Sequence, residues 1–181
     1  GMELLGSADD SSGSLFDTIS ATLETIESAV SGLTERGDER KEWVQKLLDT
    51  AQNTAFDDWD DWRYSLLQNA ALLADDKNEH DIYAVLDHLN DEKWESFKDD
   101  PYSAQMAKRI RYQVLRTVHG EAEARVYLEN NLDVDEFRLT LVREIMEKGN
   151  YARAETLCRE QTEKEQSGVR GMFSQWQYLL Y

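Results

Sequence analysis

Asp57, Asp58, Asp60 and Asp61 place four carboxylates within five residues, the group in this chain best suited to chemistry. Clustered carboxylates can ligate a hard cation and, with one bound, support metal-assisted hydrolysis if they converge with a histidine such as His80 or His88. The spacing does not fit a calcium loop: no Gly stands at the turn position and no Glu closes the loop with two oxygens. The same acids suit a helix start, where they offset the macrodipole and cap free N–H groups. Asp75, Asp76 and Glu79 form a second acidic group around the next loop. Acidic loops at successive hairpin ends would line one edge of a helical stack. Asp57, Asp58, Asp60, Asp61, Asp75 and Asp76 are therefore expected to contact a basic protein partner rather than a metal.

The remaining reactive side chains are few. His80, His88 and His119 form no His-x-x-x-His pair, and residues eight apart on a helix lie about 80° off a common face. Cys158, the single cysteine, excludes an intrachain disulfide and a thiolate zinc cage, and beside Ala154 and Tyr151 it reads as a core residue. No Gly-x-Ser-x-Gly elbow, phosphate loop or dinucleotide fingerprint occurs. No catalytic, cofactor-binding or metal-ligating residue is expected, and the chain reads as a non-enzyme.

Charge narrows the partners. The 181 residues carry 20 Lys+Arg against 37 Asp+Glu, a net charge of −17. Residues 1–100 hold 25 acids and 8 bases, so the whole excess lies there, and residues 101–181 balance. Such a first half repels phosphate backbone, which argues against direct nucleic-acid binding and leaves a nucleic-acid mimic as an alternative. Lys108, Arg109, Arg111 and Arg116 make one basic helix, expected to be solvated or paired with the acidic half. No apolar run reaches the roughly 18 residues of a membrane span, and no signal-peptide pattern is present, so a cytoplasmic protein is expected.

These residues must be positioned by helices. Gly1 before Met2 reads as a cleavage remnant, and residues 1–13 have linker composition. Phe16, Ile19, Leu23, Ile26, Val30 and Leu33 follow the 3-4 spacing of a heptad seam over residues 14–35, to pack on a groove or on a second protomer, a homodimer contact. From residue 36 to 181 a single domain is expected. Asp38 starts a helix with Trp43, Val44, Leu47, Leu48 and Ala51 inward, and Trp59, Trp62, Leu66, Ala70 and Leu73 face inward on the next. Ile82, Val85, Leu86 and Leu89 mark a fourth helix that starts at Asn78 or Asp81, with Trp94 and Phe97 folded back on its end. Met106, Ala107, Ile110, Val114 and Val118 mark a fifth, opened by Pro101. A sixth runs from about Glu121 to Asn130. A seventh is capped by Asp133 or Asp135 and stopped by Gly149; an eighth turns Tyr151, Ala154, Leu157 and Cys158 inward; a ninth runs from Val169 to Tyr181. Glu121–Arg125, Glu144–Lys148, Glu155–Arg159 and Glu160–Lys164 are spaced as i,i+4 pairs. Short loops make neighbours antiparallel, and hairpin starts recur at about 40 residues early and about 30–35 later. The expected fold is all-α, antiparallel helical hairpins stacked as a repeat-like α-α superhelix; a compact nine-helix bundle is the alternative.

Tyr127-Leu128, Asn131-Leu132, Phe137-Arg138 and Leu141-Val142, followed by Gly149, Tyr151, Ala154 and Leu157 and then by Trp176 and Tyr178, form a pattern over residues 110–181. It resembles the helical region that follows the zinc finger in bacterial SWIM zinc-finger proteins; Gly149, Tyr151 and Ala154 are also similar to a tetratricopeptide helix pair. The zinc motif, Cys-x-Cys with a later Cys-x-His, is absent. The resemblance implies an accessory module of a SWIM-type protein that acts in protein or DNA interaction, sometimes beside helicases. The functional expectation is a non-catalytic interaction scaffold, with Phe16, Ile19, Leu23 and Ile26 as its apolar contact set.

Overall fold

A computed structural model describes residues 13–32, 38–56, 59–94 and 101–166. Leu33, Asp57, Asp58, Phe97 and the ninth helix expected from Val169 lie outside them, as does the side chain of Trp94. The elements are α1 (Ser14–Gly32), α2 (Asp38–Ala51), a 3₁₀ turn (Thr54–Phe56), α3 (Asp60–Leu72), α4 (Glu79–Trp94), α5 (Pro101–Val118), α6 (Glu121–Asn130), α7 (Asp135–Glu147) and α8 (Tyr151–Gln166), with no strand among the described residues. The chain divides into two compact units, Gly1–Ala124 and Arg125–Tyr181.

In the first unit α3 is the central helix and packs on α1, α2, α4 and α5. The odd-numbered helices α1, α3 and α5 lie side by side, and each even-numbered helix packs on the odd one that follows it. The odd helices are parallel in their contacts: Phe16 near the start of α1 meets Trp62 in the first turn of α3, and Tyr102 at the start of α5 meets Asp61. Antiparallel neighbours keep register too, since Glu79 meets His119 and Asp87 meets Arg111 along α4 and α5. This is the repeat-like arrangement expected, and odd-helix starts at residues 14, 60 and 101 are its quasi-period.

The heptad seam explains why α1 docks along a single line. Ile19, Leu23 and Ile26 are partly buried against the core and Val30 is buried, while the polar remainder faces out. On α2, Val44, Leu47, Leu48 and Ala51 are buried as their spacing requires. Trp43 departs from the expectation: it is exposed, with the Lys46 ammonium 5.7 Å over its ring. Its indole sits one flank away from the buried stripe, where an i,i+3 cation covers it. Ile82, Val85, Leu86 and Leu89 are buried on α4, and Met106, Ala107, Ile110 and Val114 on α5.

In the second unit, the α7–α8 pair buries Phe137, Leu141 and Val142 against Ala154, Leu157 and Cys158. Between these helices Gly149 adopts φ +75°, its N–H bonds the carbonyl of Met146 (2.9 Å), and Asn150 N–H bonds that of Ile145 (3.0 Å). That left-handed closure satisfies the last carbonyls of α7 and favours glycine. Tyr151 is exposed rather than inward: as the first residue of α8 it precedes the turn that faces α7.

Two helix starts also correct the expectation. Trp59 and Val134, not aspartates, occupy the N-cap positions of α3 and α7, and neither makes a side-chain cap bond. The neighbouring acids face other partners: Asp60 is paired with Arg63 (3.6 Å) and Asp135 accepts from Gln161 Nε2 (3.1 Å). Of the expected ion pairs, Glu160–Lys164 rests on a side chain outside the described residues, and the others are partly redistributed. Glu155 keeps Arg159 (2.7 Å), whereas Arg125 meets Glu129 (2.7 Å) and Glu144, and Glu160 lies 3.7 Å from Arg138.

Candidate interaction surface at the helix starts

The parallel packing of α1, α3 and α5 gathers their N-terminal ends, and with them an aromatic and acidic group. Trp59 stacks on Trp62 with ring centroids 4.5 Å apart and planes 9° from parallel; Phe16 lies 5.4 Å from Trp62 at a 41° tilt. Trp62 is buried and Trp59 is half-buried, but Phe16 retains 48% of its exposure. Across α3, Tyr102 is 42% exposed, packs edge-on against Tyr64 (6.1 Å), and gives its hydroxyl proton to Asp61. Burial, then the bond to Asp61 and its charge, hold the Tyr102 phenol well above its ordinary range, so it stays a neutral donor.

Of the acids expected to meet a partner, Asp60 and Asp61 stand here, in the first turn of α3. Asp75 and Asp76 stand beyond its other end. Thirteen residues at about 1.5 Å each separate the two groups by roughly 20 Å, so they do not share one edge. Successive loops of stacked hairpins alternate between ends, which is why the expected single edge does not form. Asp75 is also engaged in its own turn: its Oδ1 accepts from the N–H groups of Lys77 (3.0 Å) and Asn78 (3.1 Å), while Asn78 Oδ1 accepts from Asp75 N–H (2.9 Å). Asp76 is exposed. Of the α1 set, Phe16 reaches the aromatic group; Ile19, Leu23 and Ile26 are spent on the core.

The other reactive residues are dispersed. His80 and His88 are exposed, and His119 lies 2.7 Å from Glu79. No group of three potential ligands converges among the described residues. Cys158 is 1% exposed and burial raises its thiol pKa. The basic helix α5 spends Arg111 on Asp87 and on the Tyr83 ring (5.1 Å), and Arg116 on Glu121 (2.5 Å).

Sequence reasoning missed three arginines that fix the helices. Arg40 donates to the carbonyls of Leu73 (2.8 Å), Leu72 (3.2 Å) and Ala74 (3.3 Å) at the end of α3. Arg63, buried in α3, donates to those of Ala51 (2.9 Å) and Asn53 (3.3 Å) at the end of α2. Arg138, buried in α7, reaches the carbonyls of Leu132 (3.1 Å) and Leu157 (3.3 Å). The signal that could have found Arg63 and Arg138 is a cation at an otherwise buried helical position, since a buried guanidinium needs several acceptors.

The class is thus an all-α repeat-like protein whose first unit has an aromatic and acidic surface at the starts of α1, α3 and α5. No family of proteins, no curated protein and no solved structure matches the chain. No helix among the described residues is long and apolar enough to cross a membrane.

Proposed function

We propose that the chain is a non-catalytic interaction scaffold that captures a basic protein segment through its first unit. The observation that carries this reading is the alignment of the α1, α3 and α5 starts, which sets partly exposed aromatic side chains beside Asp60 and Asp61 in the half of the chain that holds the whole negative excess. Aromatic side chains in a charged field are the composition of a protein contact site. The single, buried cysteine suits a cytoplasmic setting. The likeness of residues 110–181 to SWIM-type proteins supports a place beside a DNA- or helicase-associated assembly; residues 110–166, with α6, α7 and α8 and the Gly149 closure, are the described part of that pattern.

The test is a kinetic titration with a decalysine peptide. Association is expected to slow as salt rises past physiological strength, where the screening length is about 8 Å. Neutralising Asp57, Asp58 and Asp61 together should slow association more than it lowers stability. Binding unchanged between low and high salt, or no binding at all, defeats the reading.

A further inference from the structure

We propose that residues 169–181 form a helix that follows α8 and docks on α7 along Leu139, Val142 and Met146, as α5 docks on α3. The two units repeat one pattern. α3 and α7 each hold 13 residues, and α4 and α8 each hold 16. Asp60-Asp61-Trp62-Arg63 opens α3, and Asp135-Glu136-Phe137-Arg138 opens α7. In both, the aromatic ring and the arginine are buried, and the guanidinium donates to carbonyls of the segment before the helix: those of Ala51 and Asn53 for Arg63, that of Leu132 for Arg138. Asn78 and Asn150 stand just before α4 and α8, and the carbonyl of each accepts the N–H four residues on, from Ile82 and Ala154. The α7–α8 hairpin is thus a second copy of the α3–α4 hairpin.

In the first unit the helix after the hairpin is α5, and it packs on α3. Tyr102 meets Tyr64, and Leu67 and Ala71, three and seven residues on, continue that buried side. On α7 the matched residues are Leu139, Val142 and Met146, an apolar line at the same spacing. Leu139 and Val142 are buried, but Met146 is half-buried where Ala71 is fully enclosed. α3 packs on four helices, whereas no helix follows α8 among the described residues. The chain that continues past Gln166 fits the open place. Val169, Met172, Phe173, Trp176 and Leu180 have the spacing of Ser103, Met106, Ala107, Ile110 and Val114, five buried residues of α5. Residues 169–181 equal α7 in length and carry one charged side chain, Arg170, so burial of their apolar line is favoured. Ser167 and Gly168, between Gln166 and Val169, are turn-forming types. A segment joined through so short a turn meets α7 at a far higher effective concentration than a separate chain does.

The experiment places a benzophenone amino acid at Phe173 in the full chain, irradiates it and maps the products by mass spectrometry. Cross-links are expected within one chain, on residues 139–146. Hydrogen exchange gives a second readout. Trp176→Ala should speed exchange of the α7 amides about tenfold and leave those of α3 within about twofold, and Trp176→Phe, which keeps a ring, should recover part of the loss. Protection of α7 should stay the same when the protein concentration rises about a hundredfold. Circular dichroism establishes that each variant is folded; if Trp176→Ala is not, the cross-link decides alone. Cross-links that join two chains, with protection that rises with concentration, assign the face to a second copy and overturn the proposal. Cross-links that are absent or confined to other elements, or α7 exchange unchanged in folded Trp176→Ala, overturn it as well.

Discussion

Tyr102, the second residue of α5, donates its hydroxyl proton to Asp61, the second residue of α3, and so ties two parallel helices start to start. The phenol pKa is raised, by burial first and then by the bond to Asp61. In the unfolded chain the same group ionises near about pH 10. Below that pH both states hold the proton and the full contribution is present. Above it the folded state binds more protons than the unfolded one, so stability falls as pH rises. The urea midpoint should therefore decline from pH 9 to pH 11, and Tyr102→Phe should flatten that decline. An identical slope in the variant would show that the bond carries no linkage.

Arg63 should be the costliest single charge to remove. Arg63→Met keeps much of the volume but leaves the carbonyls of Ala51 and Asn53 without their donor in a buried place. A loss of about 2–4 kcal/mol in urea unfolding is expected. Arg63→Lys should recover less than half, because it lacks the fork that spans two carbonyls. Arg40→Ala, at a partly exposed site, should cost about 1 kcal/mol.

Cys158 should report the opening of the second unit. It is buried between α7 and α8 and its thiol pKa is raised by that burial. Iodoacetamide at pH 8 should label the folded chain far more slowly than the urea-unfolded chain, since the thiolate is the nucleophile. Gly149→Ala, strained at φ +75°, should speed labelling and cost about 1 kcal/mol.

Removing residues 1–32 should lower the melting temperature by at least about 8 °C, through loss of the Ile19, Leu23, Ile26 and Val30 contacts with the core. If the seam instead serves a second protomer, truncation would shift the elution volume on size exclusion and leave the melt of the dilute protein unchanged.

The buried stripes of α1, α4 and α5 were legible because each is a single apolar line at helical spacing, as in Ile82, Val85, Leu86 and Leu89. α3 was only half legible. Its stripe was read correctly, but Tyr64, Leu67 and Ala71 are buried as well, because four helices surround it and burial there is not one-sided. Periodicity identifies a stripe and is silent on its flanks, which is why Trp43 and Tyr151 were turned the wrong way. The acidic groups were visible as composition. That one stands at the start of α3 and the other beyond its end depends on the alternation of loops between ends. Tyr102, which bonds Asp61, and Phe16, which packs on Trp62, come from sequence positions more than 40 residues away, and no local pattern joins either to the start of α3.

The reciprocal bonds of Arg40 and Arg63 have a consequence for how the chain can vary in length. Each sits near the start of one helix and grips the end of the other, so α2 and α3 are gauged against each other like two rods clamped at both tips. One residue inserted within either helix would advance its end by about 1.5 Å and turn it by about 100°, releasing one clamp. Insertions should be tolerated in the loop between the two clamps and rejected inside the rods. The α2–α3 hairpin thereby carries its own length standard, written in two arginine side chains.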